Sequence, residues 1–414
     1  MKKKKVALFG FGCVGQGLYD IIQQENNLPF EISKICVKDP QKKRDLPNNI
    51  FTYNKHEILD DQEIDIIAEA ISDDDEALEI ARLGLRNGKN IISASKKMLA
   101  ENLTELIELE KNSQGSIIYE ASVCGSIPIL RTLQDYYKNS SIYGLFGILN
   151  GSSNYILSKI TGEGLTYQVA LKQAQELGFA EIDPSLDVGG FDASNKLCIL
   201  ARHGFQLPLG TSDIFQFGIQ RISEHEISYA VKKDYKIKQV ALLRKTTGGR
   251  YLTMVMPAYI QEDSPLYQID NEYNGVLLQS NFMGEQLFTG KGAGGHPTGW
   301  AMFSDLLAMT NGYHYSYNAG SRDDTGLSDE DFSLNIYLRC ESDTVLKELD
   351  FDLLEDLSLG TSYRFVYGSV RLSNLQKFKS SEHFNAVFLT LDLQHLLDQL
   401  ERPSEKSSVV NEIA

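Results

Sequence analysis

The sequence predicts an α/β protein that begins with a doubly wound parallel sheet, and three observations predict this fold class. A glycine-rich turn follows the first apolar run, and strand-like runs then alternate with helical segments as far as about residue 140. The composition of the 414 residues, 42% hydrophobic and 23% charged, is that of a globular protein. Because parallel strands need crossover connections, usually helices, the alternation predicts a parallel sheet with helices on both faces.

The first domain is expected at residues 1–140. VALFGFG is typical of a strand that ends in a glycine turn, and QGLYDIIQQE continues with apolar residues at helical spacing. Further strands are predicted at EISKICV, IDIIAEAI, KNIISAS and GSIIYEASV. Helices such as DEALEIARLGLRNG and TELIELEKNSQG lie between several of them.

The rest of the chain is expected to form an α+β domain at residues 141–289 and a small α+β unit at 325–414. The strand IYGLFGILNG and a helical region precede the strands KIKQVALLRK, YLTMVMPAYI and GVLLQSNFM. A glycine-rich segment near 290–320 is expected to return to the first domain and complete it. After an acidic linker, DDTGLSDED, the small unit would contain the strands FSLNIYLRC, YRFVYGSVRL and NAVFLTLD.

Charge and cysteine content narrow the class of protein. The excess of 56 acidic over 40 basic residues gives a net charge of -16, so neither nucleic acid nor a membrane surface is an expected partner. The apolar run after Lys5 meets a glycine after four residues, too short for a signal peptide or a membrane span. The five cysteines are far apart without a CxxC pair, which predicts reduced thiols and a cytoplasmic location.

The motif GFGCVG, with Gly10, Gly12 and Gly15, predicts a dinucleotide site. It directly follows a strand and precedes a helix, so the backbone can approach a pyrophosphate at the helix N-terminus. Asp39, 24 residues after Gly15, is near the place where an acid would hold a ribose 2′-hydroxyl. Lys38 and the basic residues 42–44 could instead pair with a 2′-phosphate, so NADP is favoured and NAD is the alternative.

Asp192 and Lys196 predict a site for proton transfer. They are four residues apart on a predicted helix and therefore share one face. A surface ion pair is the ordinary interpretation of this spacing. Because the helix continues as the apolar LCILA, we expect it to enter a core, where a desolvated lysine can exchange a proton. Reduction of a carbonyl group by hydride needs such a donor.

Two other segments carry polar residues with open interpretations. Lys96 and Lys97 follow KNIISAS, at the strand end where ligands of a doubly wound sheet lie, or they merely begin a helix. Glu120 precedes an irregular, glycine-containing segment and could belong to a cation site. Asn150 and its neighbours to residue 154 suit a polar substrate or cap a helix. The histidines, His203 among them, are expected to be structural, and no zinc site is predicted.

Six motifs give the sequence a family likeness: it resembles homoserine dehydrogenase. The motifs occur in the family's order over about residues 1–320. They are GFGCVG, SASKK at 93–97, EASVCGSIPI at 120–129, GILNGSSNYIL at 147–157, GFAEIDPSLDVGGFDASNKL at 178–197, and GKGAGG with PT at 290–298.

The resemblance implies a Rossmann-type nucleotide domain, a substrate and dimerisation domain, and a homodimer or higher homo-oligomer. It implies NAD(P)H-dependent interconversion of L-aspartate 4-semialdehyde and L-homoserine in threonine and methionine biosynthesis. Lys96 and Lys196 would serve proton transfer and substrate orientation, and Asp192 would support Lys196. The substrate's amino group and carboxylate would be bound, respectively, by Glu181 with Asp187 and by Gly151 with Ser152.

The resemblance also implies cofactor and cation contacts. A monovalent cation such as sodium would be held by Glu120 and by main-chain oxygens of Val123, Gly125 and Ile127, bracing the junction of the two domains. The implied cofactor contacts are Gly10, Gly12, Cys13, Val14, Gly15, Lys38, Ser72, Ser93, Lys96 and Gly294.

The sequence departs from the family at several positions. Ser95 stands where the family usually has Asn, and Ser72 and Asp73 stand where it has a glycine pair, which leaves the choice of cofactor open. These departures keep two alternatives: a catalytically silent nucleotide-binding regulatory protein of the same fold, and a dehydrogenase for another amino-acid semialdehyde. The last unit is interpreted as ACT-like or degenerate, since Ser342 and Asp343 replace the usual Pro-Gly turn.

Overall fold

The computed structural model describes residues 3–138, 142–317, 326–328, 331–358 and 363–401. The chain divides into two compact units. The first contains Met1–Ser141, Asn195–Thr211 and Phe288–Ala319, and the second contains Ile142–Ser194, Ser212–Leu287 and Gly320–Ala414. Most of the predicted acidic linker DDTGLSDED lies outside the described residues.

The first unit contains a six-stranded sheet in which every pairing is parallel, as the sequence predicts. Its strands are β1 (Lys4–Phe9), β2 (Phe30–Cys36), β3 (Phe51–Thr52), β4 (Ile66–Glu69), β5 (Asn90–Ser93) and β6 (Ile117–Ile118). The strand order is β3-β2-β1-β4-β5-β6. This is the doubly wound nucleotide-binding order, in which ligands lie at the carboxyl ends of the strands where the order reverses.

Fourteen helices are described along the chain. They are α1 (Cys13–Gln24), α2 (His56–Leu59), α3 (Asp74–Arg86), α4 (Lys96–Lys111), α5 (Ile129–Arg131), α6 (Gly151–Glu163), α7 (Tyr167–Glu176), α8 (Ser185–Val188), α9 (Phe191–Phe205), α10 (Glu224–Lys232), α11 (Gly295–Thr310), α12 (Asp343–Glu348), α13 (Leu372–Phe378) and α14 (Leu393–Glu401). None of these helices is long and apolar enough to cross a bilayer.

The strand predicted at GSIIYEASV is shorter than expected. It ends at Ile118, and Glu120–Ser122 form a 3₁₀ turn. The reason lies in the backbone hydrogen bonding, because the N–H of Glu120 donates to the carboxylate of Asp305 (2.9 Å). The chain thereby leaves the sheet just where the predicted cation segment begins.

The second unit is built on a mixed ten-stranded sheet. Its strands are β7 (Ile142–Ile148), β8 (Phe215–Gln216), β9 (Lys236–Lys245), β10 (Tyr251–Ile260), β11 (Tyr273–Ser280), β12 (Gly284–Lys291), β13 (Ser333–Cys340), β14 (Asp352–Asp356), β15 (Arg364–Arg371) and β16 (Phe388–Asp392). The order is β12-β11-β7-β9-β10-β16-β13-β15-β14, with β8 paired to β10. Helix α6 packs against β9 and β11 of this sheet.

The C-terminal strands, expected as a small third unit, continue the sheet of the second unit. They pair in the order β16-β13-β15-β14, a ferredoxin-like arrangement, but β16 also pairs in parallel with β10 through Ala258 and Leu391. Every residue of β10 is buried, and such a strand needs a neighbour on each edge. The segment is therefore part of the second unit's sheet and core. Its ACT-like character stays a prediction.

Candidate functional site

The glycine turn after β1 has the geometry of a phosphate cradle. Gly10 has a φ of 91°, and a Cβ atom there would lie 2.4 Å from the carbonyl oxygen of Ala70. A Cβ on Gly15 would lie 2.4 Å from the oxygen of Gly10, whereas one on Gly12 would meet no atom within 4 Å. The turn is thus closed on the protein side and open at Gly12, where helix α1 begins. This arrangement fits a pyrophosphate bound at a helix N-terminus.

A second helix N-terminus adjoins this turn. Gly294 precedes α11, and a Cβ on Gly295 would lie 2.8 Å from the carbonyl oxygen of Cys13. A Cβ on Gly17 would lie 2.3 Å from the oxygen of Gly295, so the backbones of α1 and α11 are in direct contact. The segment 288–319 therefore supplies the predicted residue Gly294 beside the cradle.

The carboxyl edge of the sheet gathers the other predicted cofactor residues. Lys38 follows β2, Ser72 follows β4, Ser93 ends β5 and Lys96 begins α4. The side chain of Lys38 is 96% exposed, with its ammonium 3.8 Å from the carboxylate of Asp73.

Two other charged residues of the loop after β2 make hydrogen bonds within that loop. Asp39 accepts the N–H of Gln41 (2.8 Å), and Arg44 donates to the carbonyl oxygens of Asp39 and Lys42. Among the residues considered for the 2′-position, Lys38 is the nearest to the end of β2, two residues after Cys36, and its side chain extends into solvent.

Glu69 is a buried acid at this edge that sequence reasoning missed. It is the last residue of β4 and has no exposed surface. Its carboxylate accepts hydrogen bonds from the hydroxyls of Ser93 (2.5 Å) and Ser95 (2.8 Å) and from the N–H of Ile71 (2.8 Å). Burial raises the pKa of Glu69, and these three donors oppose the rise. The signal in the sequence was an acid within the otherwise apolar run IIAEAI.

The two adjacent lysines after β5 differ in their surroundings. The ammonium of Lys97 lies 3.4 Å from the carboxylate of Asp74, which raises the pKa of Lys97. Lys96 is the first residue of α4 and is exposed at the carboxyl edge of the sheet. The contact with Asp74 accounts for Lys97 structurally, and the part of Lys96 in the chemistry stays a prediction.

Helix α9 carries the predicted acid and lysine pair. Asp192 is 3% exposed and Lys196 is 5% exposed, so the pair is not a surface ion pair. The helix runs through the interior because the residues after Lys196 are apolar, and these residues are also buried. The prediction that Lys196 is withdrawn from bulk water is confirmed in its burial.

Asn150 joins two of the predicted acids. Its side-chain N–H₂ group donates to the carboxylates of Asp187 (2.7 Å) and Asp192 (2.9 Å). Its oxygen accepts the N–H of Ser153 (2.7 Å), so Asn150 also caps helix α6. Because carboxylates only accept hydrogen bonds, this network fixes the orientation of the amide. The sequence predicted a group for a polar substrate or a helix cap: the cap is confirmed, the substrate contact stays a prediction, and the link to the two acids was missed.

The predicted carboxylate-binding residues begin helix α6. Gly151 is its first residue, and a Cβ there would lie 2.8 Å from the carbonyl oxygen of Glu272. The hydroxyl of Ser152 donates to the carbonyl oxygen of Phe179, so it is engaged within the protein. The main-chain N–H groups at a helix N-terminus have no intrahelical acceptor and favour an anion. A carboxylate would therefore meet the backbone here, with the hydroxyl of Ser152 committed elsewhere.

Glu181 lies in the exposed loop before α8. Its carbonyl oxygen accepts from the side chain of Gln175 (2.9 Å), and its own side chain is exposed. The structure places Asp187 with Asp192 through Asn150, and it shows no comparable link to Glu181 among the described residues.

The predicted cation segment begins at a buried carboxylate. The carboxylate of Glu120 accepts the N–H groups of Leu130 (2.7 Å) and Arg131 (2.8 Å), so it holds the following turn. Cys124 and Gly125 have φ values of 54° and 52°, which reverse the chain. Glu120 as a ligand of a cation stays a prediction.

The charge around Glu120 still suits a cation. The buried carboxylates of Glu120 and Asp305 flank the single guanidinium of Arg131, at 3.4 and 3.9 Å respectively. Burial raises the pKa of both carboxyl groups. A cation beside these acids would stabilise their ionised forms against that rise.

His203 is structural, as predicted. It is buried on α9, where its ring contacts the amide nitrogen of Gln134 (2.9 Å) and the hydroxyl of Tyr119 (2.9 Å). Burial lowers the pKa of His203 to about 3. Among the described residues, no group of three or more His, Cys, Asp or Glu side chains could hold a metal ion.

A doubly wound sheet with a glycine cradle, together with a buried lysine and acid pair, defines the class of NAD(P)-dependent oxidoreductases. The family model for homoserine dehydrogenase matches residues 128–307, and the model for its NAD-binding domain matches residues 10–120. The homoserine dehydrogenase of Bacillus subtilis is 36% identical over 318 residues, which cover 75% of this chain and 73% of that protein. The chain belongs to the homoserine dehydrogenase family.

Solved structures agree with this assignment. A homoserine dehydrogenase from Thiobacillus denitrificans superposes with a TM-score of 0.80 at 27% identity, covering 95% of this chain and 99% of that one. A hyperthermophilic archaeal homoserine dehydrogenase, solved in complex with NADPH, has a TM-score of 0.64 at 24% identity, covering 76% of this chain and 99% of that one. The second comparison shows the shared fold.

Proposed function

We propose that this chain interconverts L-aspartate 4-semialdehyde and L-homoserine with a nicotinamide cofactor. The observation that carries the proposal is the arrangement of Asp187 and Asp192 on one amide of Asn150, with buried Lys196 four residues further along α9. An amino-acid substrate needs an anionic site for its ammonium group, and an aldehyde needs a proton donor for its oxygen. Both groups are supplied within one short stretch of sequence.

Asp187 and Asp192 are suited to the ammonium end of the substrate. An ammonium group beside two carboxylates can donate charge-assisted hydrogen bonds to both. The N-terminus of α6, at Gly151 and Ser152, is suited to the carboxylate end through its N–H groups. Glu181 stays a predicted second ligand of the ammonium group.

Lys196 is the proposed proton donor to the carbonyl oxygen in the direction of reduction. When bound, the nicotinamide cofactor supplies the hydride, or accepts it in the reverse direction. As negative charge develops on the substrate oxygen, the ammonium of Lys196 stabilises it and transfers a proton. Asp192, one helical turn before, orients Lys196, and Lys96 assists from the carboxyl edge of the parallel sheet.

NADP is the proposed cofactor, with NAD as the weaker alternative. Gly10, Gly12, Cys13, Val14 and Gly15 would hold the pyrophosphate. Lys38 would pair with the 2′-phosphate, because it lies two residues after the end of β2 and its side chain extends into solvent. We expect the variant Lys38→Ala to lose kcat/KM with NADPH by about tenfold or more while NADH activity changes little.

A monovalent cation such as sodium is proposed at Glu120 and the main-chain oxygens of Val123, Gly125 and Ile127. The two buried carboxylates of Glu120 and Asp305, which lie near the guanidinium of Arg131, support it. A homodimer, implied by the resemblance, and a cytoplasmic location, predicted from the cysteines, likewise stay predictions. Light scattering of the purified protein tests the dimer.

The decisive experiment follows the nicotinamide absorbance of the purified protein with L-homoserine and either cofactor, with and without threonine. We expect turnover by the wild type and a loss of at least about a hundredfold in kcat for Lys196→Ala. Lys172→Ala, which removes an exposed lysine of α7, is the matched control and should keep full activity. Tight cofactor binding without turnover would favour the silent regulatory protein. Turnover of another hydroxy amino acid alone would indicate a different substrate.

A further inference from the structure

The turn between β5 and α4 is held by a buried carboxylate that the proposed mechanism does not use. Glu69 accepts hydrogen bonds from Ser93, Ser95 and Ile71, and it is wholly buried. The hydroxyls of Ser93 and Ser95 both donate to the carboxylate of Glu69, and the Ser95 hydroxyl also lies 3.3 Å from the carbonyl oxygen of Ile71. The N–H of Ser95 in turn donates to the hydroxyl oxygen of Ser93 (3.1 Å). These contacts join the turn after β5 to the end of β4.

The side chain of Ser95 bonds to Glu69 and does not cap helix α4. It occupies the N-cap position of α4, where a serine side chain normally accepts a hydrogen bond from the helix, worth about 1 kcal/mol. Its side chain makes no such bond. The caps of three other helices, Asp73, Asn150 and Thr166, all do. The hydroxyl of Ser95 is therefore diverted from the helix to Glu69.

The position of Lys96 depends on this turn. It directly follows Ser95, and the backbone of Ser95 accepts the first hydrogen bond of α4, from Leu99 (3.1 Å). The hydrogen bonds that hold Ser93 and Ser95 also hold the backbone at the start of α4. They thereby set the position of the Cα atom of Lys96.

We propose that Glu69 is a positioning residue for Lys96: its carboxylate holds the Ser93–Ser95 turn in the orientation that presents Lys96 to the reacting groups. The inference rests on the proposed function, because it assigns Lys96 a part in proton transfer. Glu69 does not itself touch the reacting atoms. A displacement of about 1 Å in a group that takes part in chemistry can lower the rate about a hundredfold.

The variant Glu69→Gln tests the proposal because it keeps the size of the side chain and removes its charge and one acceptor. We expect kcat for homoserine oxidation to fall about ten- to a hundredfold, with the Kd for NADPH within about threefold of the wild type. The solvent deuterium isotope effect on kcat should change, since a misplaced proton-transfer group alters that step. Loss of folded protein alone would lower the amount of active enzyme without changing the isotope effect.

Glu110→Gln is the matched control. Glu110 is a partly buried acid that also accepts a backbone N–H, that of Ile117 (3.1 Å). This contact lies at the amino end of β6, away from the turn that contains Ser93 and Ser95. We expect it to lose stability without loss of kcat. Ser95→Ala, which removes a single hydrogen bond to Glu69, serves where Glu69→Gln folds poorly and should lower kcat several-fold.

A double-mutant cycle shows whether Glu69 acts through Lys96. In the Lys96→Ala background, Glu69→Gln should cost less than about threefold in kcat, because the group that it positions is gone. Equal losses in both backgrounds would overturn the proposal. So would an active wild type whose Glu69→Gln and Ser95→Ala variants keep kcat and the isotope effect. A wild type that fails to oxidise homoserine would instead overturn the proposed function, and this inference with it.

Discussion

Asn150 makes two kinds of contact with one side chain. It caps α6 with its oxygen and joins Asp187 to Asp192 with its nitrogen. Substitutions at this position can separate the two roles, because serine is also a good N-cap but has a single hydrogen to donate.

We predict that Asn150→Ser lowers kcat/KM for homoserine at least about tenfold, since the two carboxylates lose their common donor. The unfolding free energy should change by less than about 1 kcal/mol, because the cap is retained. Steady-state kinetics and thermal melting measure both quantities. As a control, Thr166→Ala removes the cap of α7 and should cost stability without affecting kcat/KM. Unchanged kinetics in Asn150→Ser would contradict the role given to the bridge.

His203 predicts how stability depends on pH. Its pKa is about 3 in the folded protein, against 6.5 as its ordinary value. Between these values the unfolded chain binds a proton that the folded protein does not, so stability falls on acidification below pH 6.5 and is unaffected above it. The slope is up to about 1.4 kcal/mol per pH unit.

We therefore expect the wild type to lose about 2 kcal/mol more than His203→Gln between pH 7 and pH 5, measured by denaturant unfolding at each pH. His56→Gln, at an exposed histidine, should follow the wild type. Parallel curves for the wild type and His203→Gln would show that this histidine is not buried in its neutral form.

At the scale of elements, α1 and α11 are joined through glycines. Their backbones touch at Gly17 and Gly295, and the same contact brings Gly294 beside Cys13. Gly12 differs, because a Cβ there meets no protein atom within 4 Å. Gly12 therefore leaves space on the open side of the turn, whereas Gly17 allows the close packing of α1 on α11.

We predict opposite outcomes for two alanine substitutions in α1 and its cap. Gly12→Ala should leave the melting temperature nearly unchanged and weaken NADPH binding about tenfold or more, because the methyl group occupies the open side of the turn. Gly17→Ala should destabilise the protein by about 2 kcal/mol or more, because its Cβ would lie 2.3 Å from backbone. Calorimetry and melting measure both. Gly162→Ala, in open space at the end of α6, should be neutral or stabilising.

At the scale of the whole molecule, the second unit's sheet extends across segments far apart in sequence. Leu391 of β16 is buried opposite Ala258 of β10 and Ile336 of β13. A sheet and core shared in this way should open as one cooperative unit.

We predict that Leu391→Ala costs about 2–5 kcal/mol and raises amide hydrogen exchange in β9 and β10 as well as in β13 and β15. Exchange measured by mass spectrometry distinguishes the segments. Leu354→Ala, at an exposed position of the edge strand β14, should change neither. Faster exchange confined to the C-terminal strands would indicate a separately folding third unit.

The sequence by itself determined the parallel first sheet, its glycine turn and the family, because these features are local: each strand, turn and motif is read from consecutive residues. It also identified Asp192 and Lys196, since a spacing of four residues fixes one helix face. Only the tertiary structure decided that the C-terminal strands join β10, that the carboxylate of Glu120 is taken by Leu130 and Arg131, and that Glu69 and Asn150 hold their turns. Those are pairings between distant residues, and the hydrogen-bond partner that a buried polar group finds depends on the packing of segments, which no local pattern encodes.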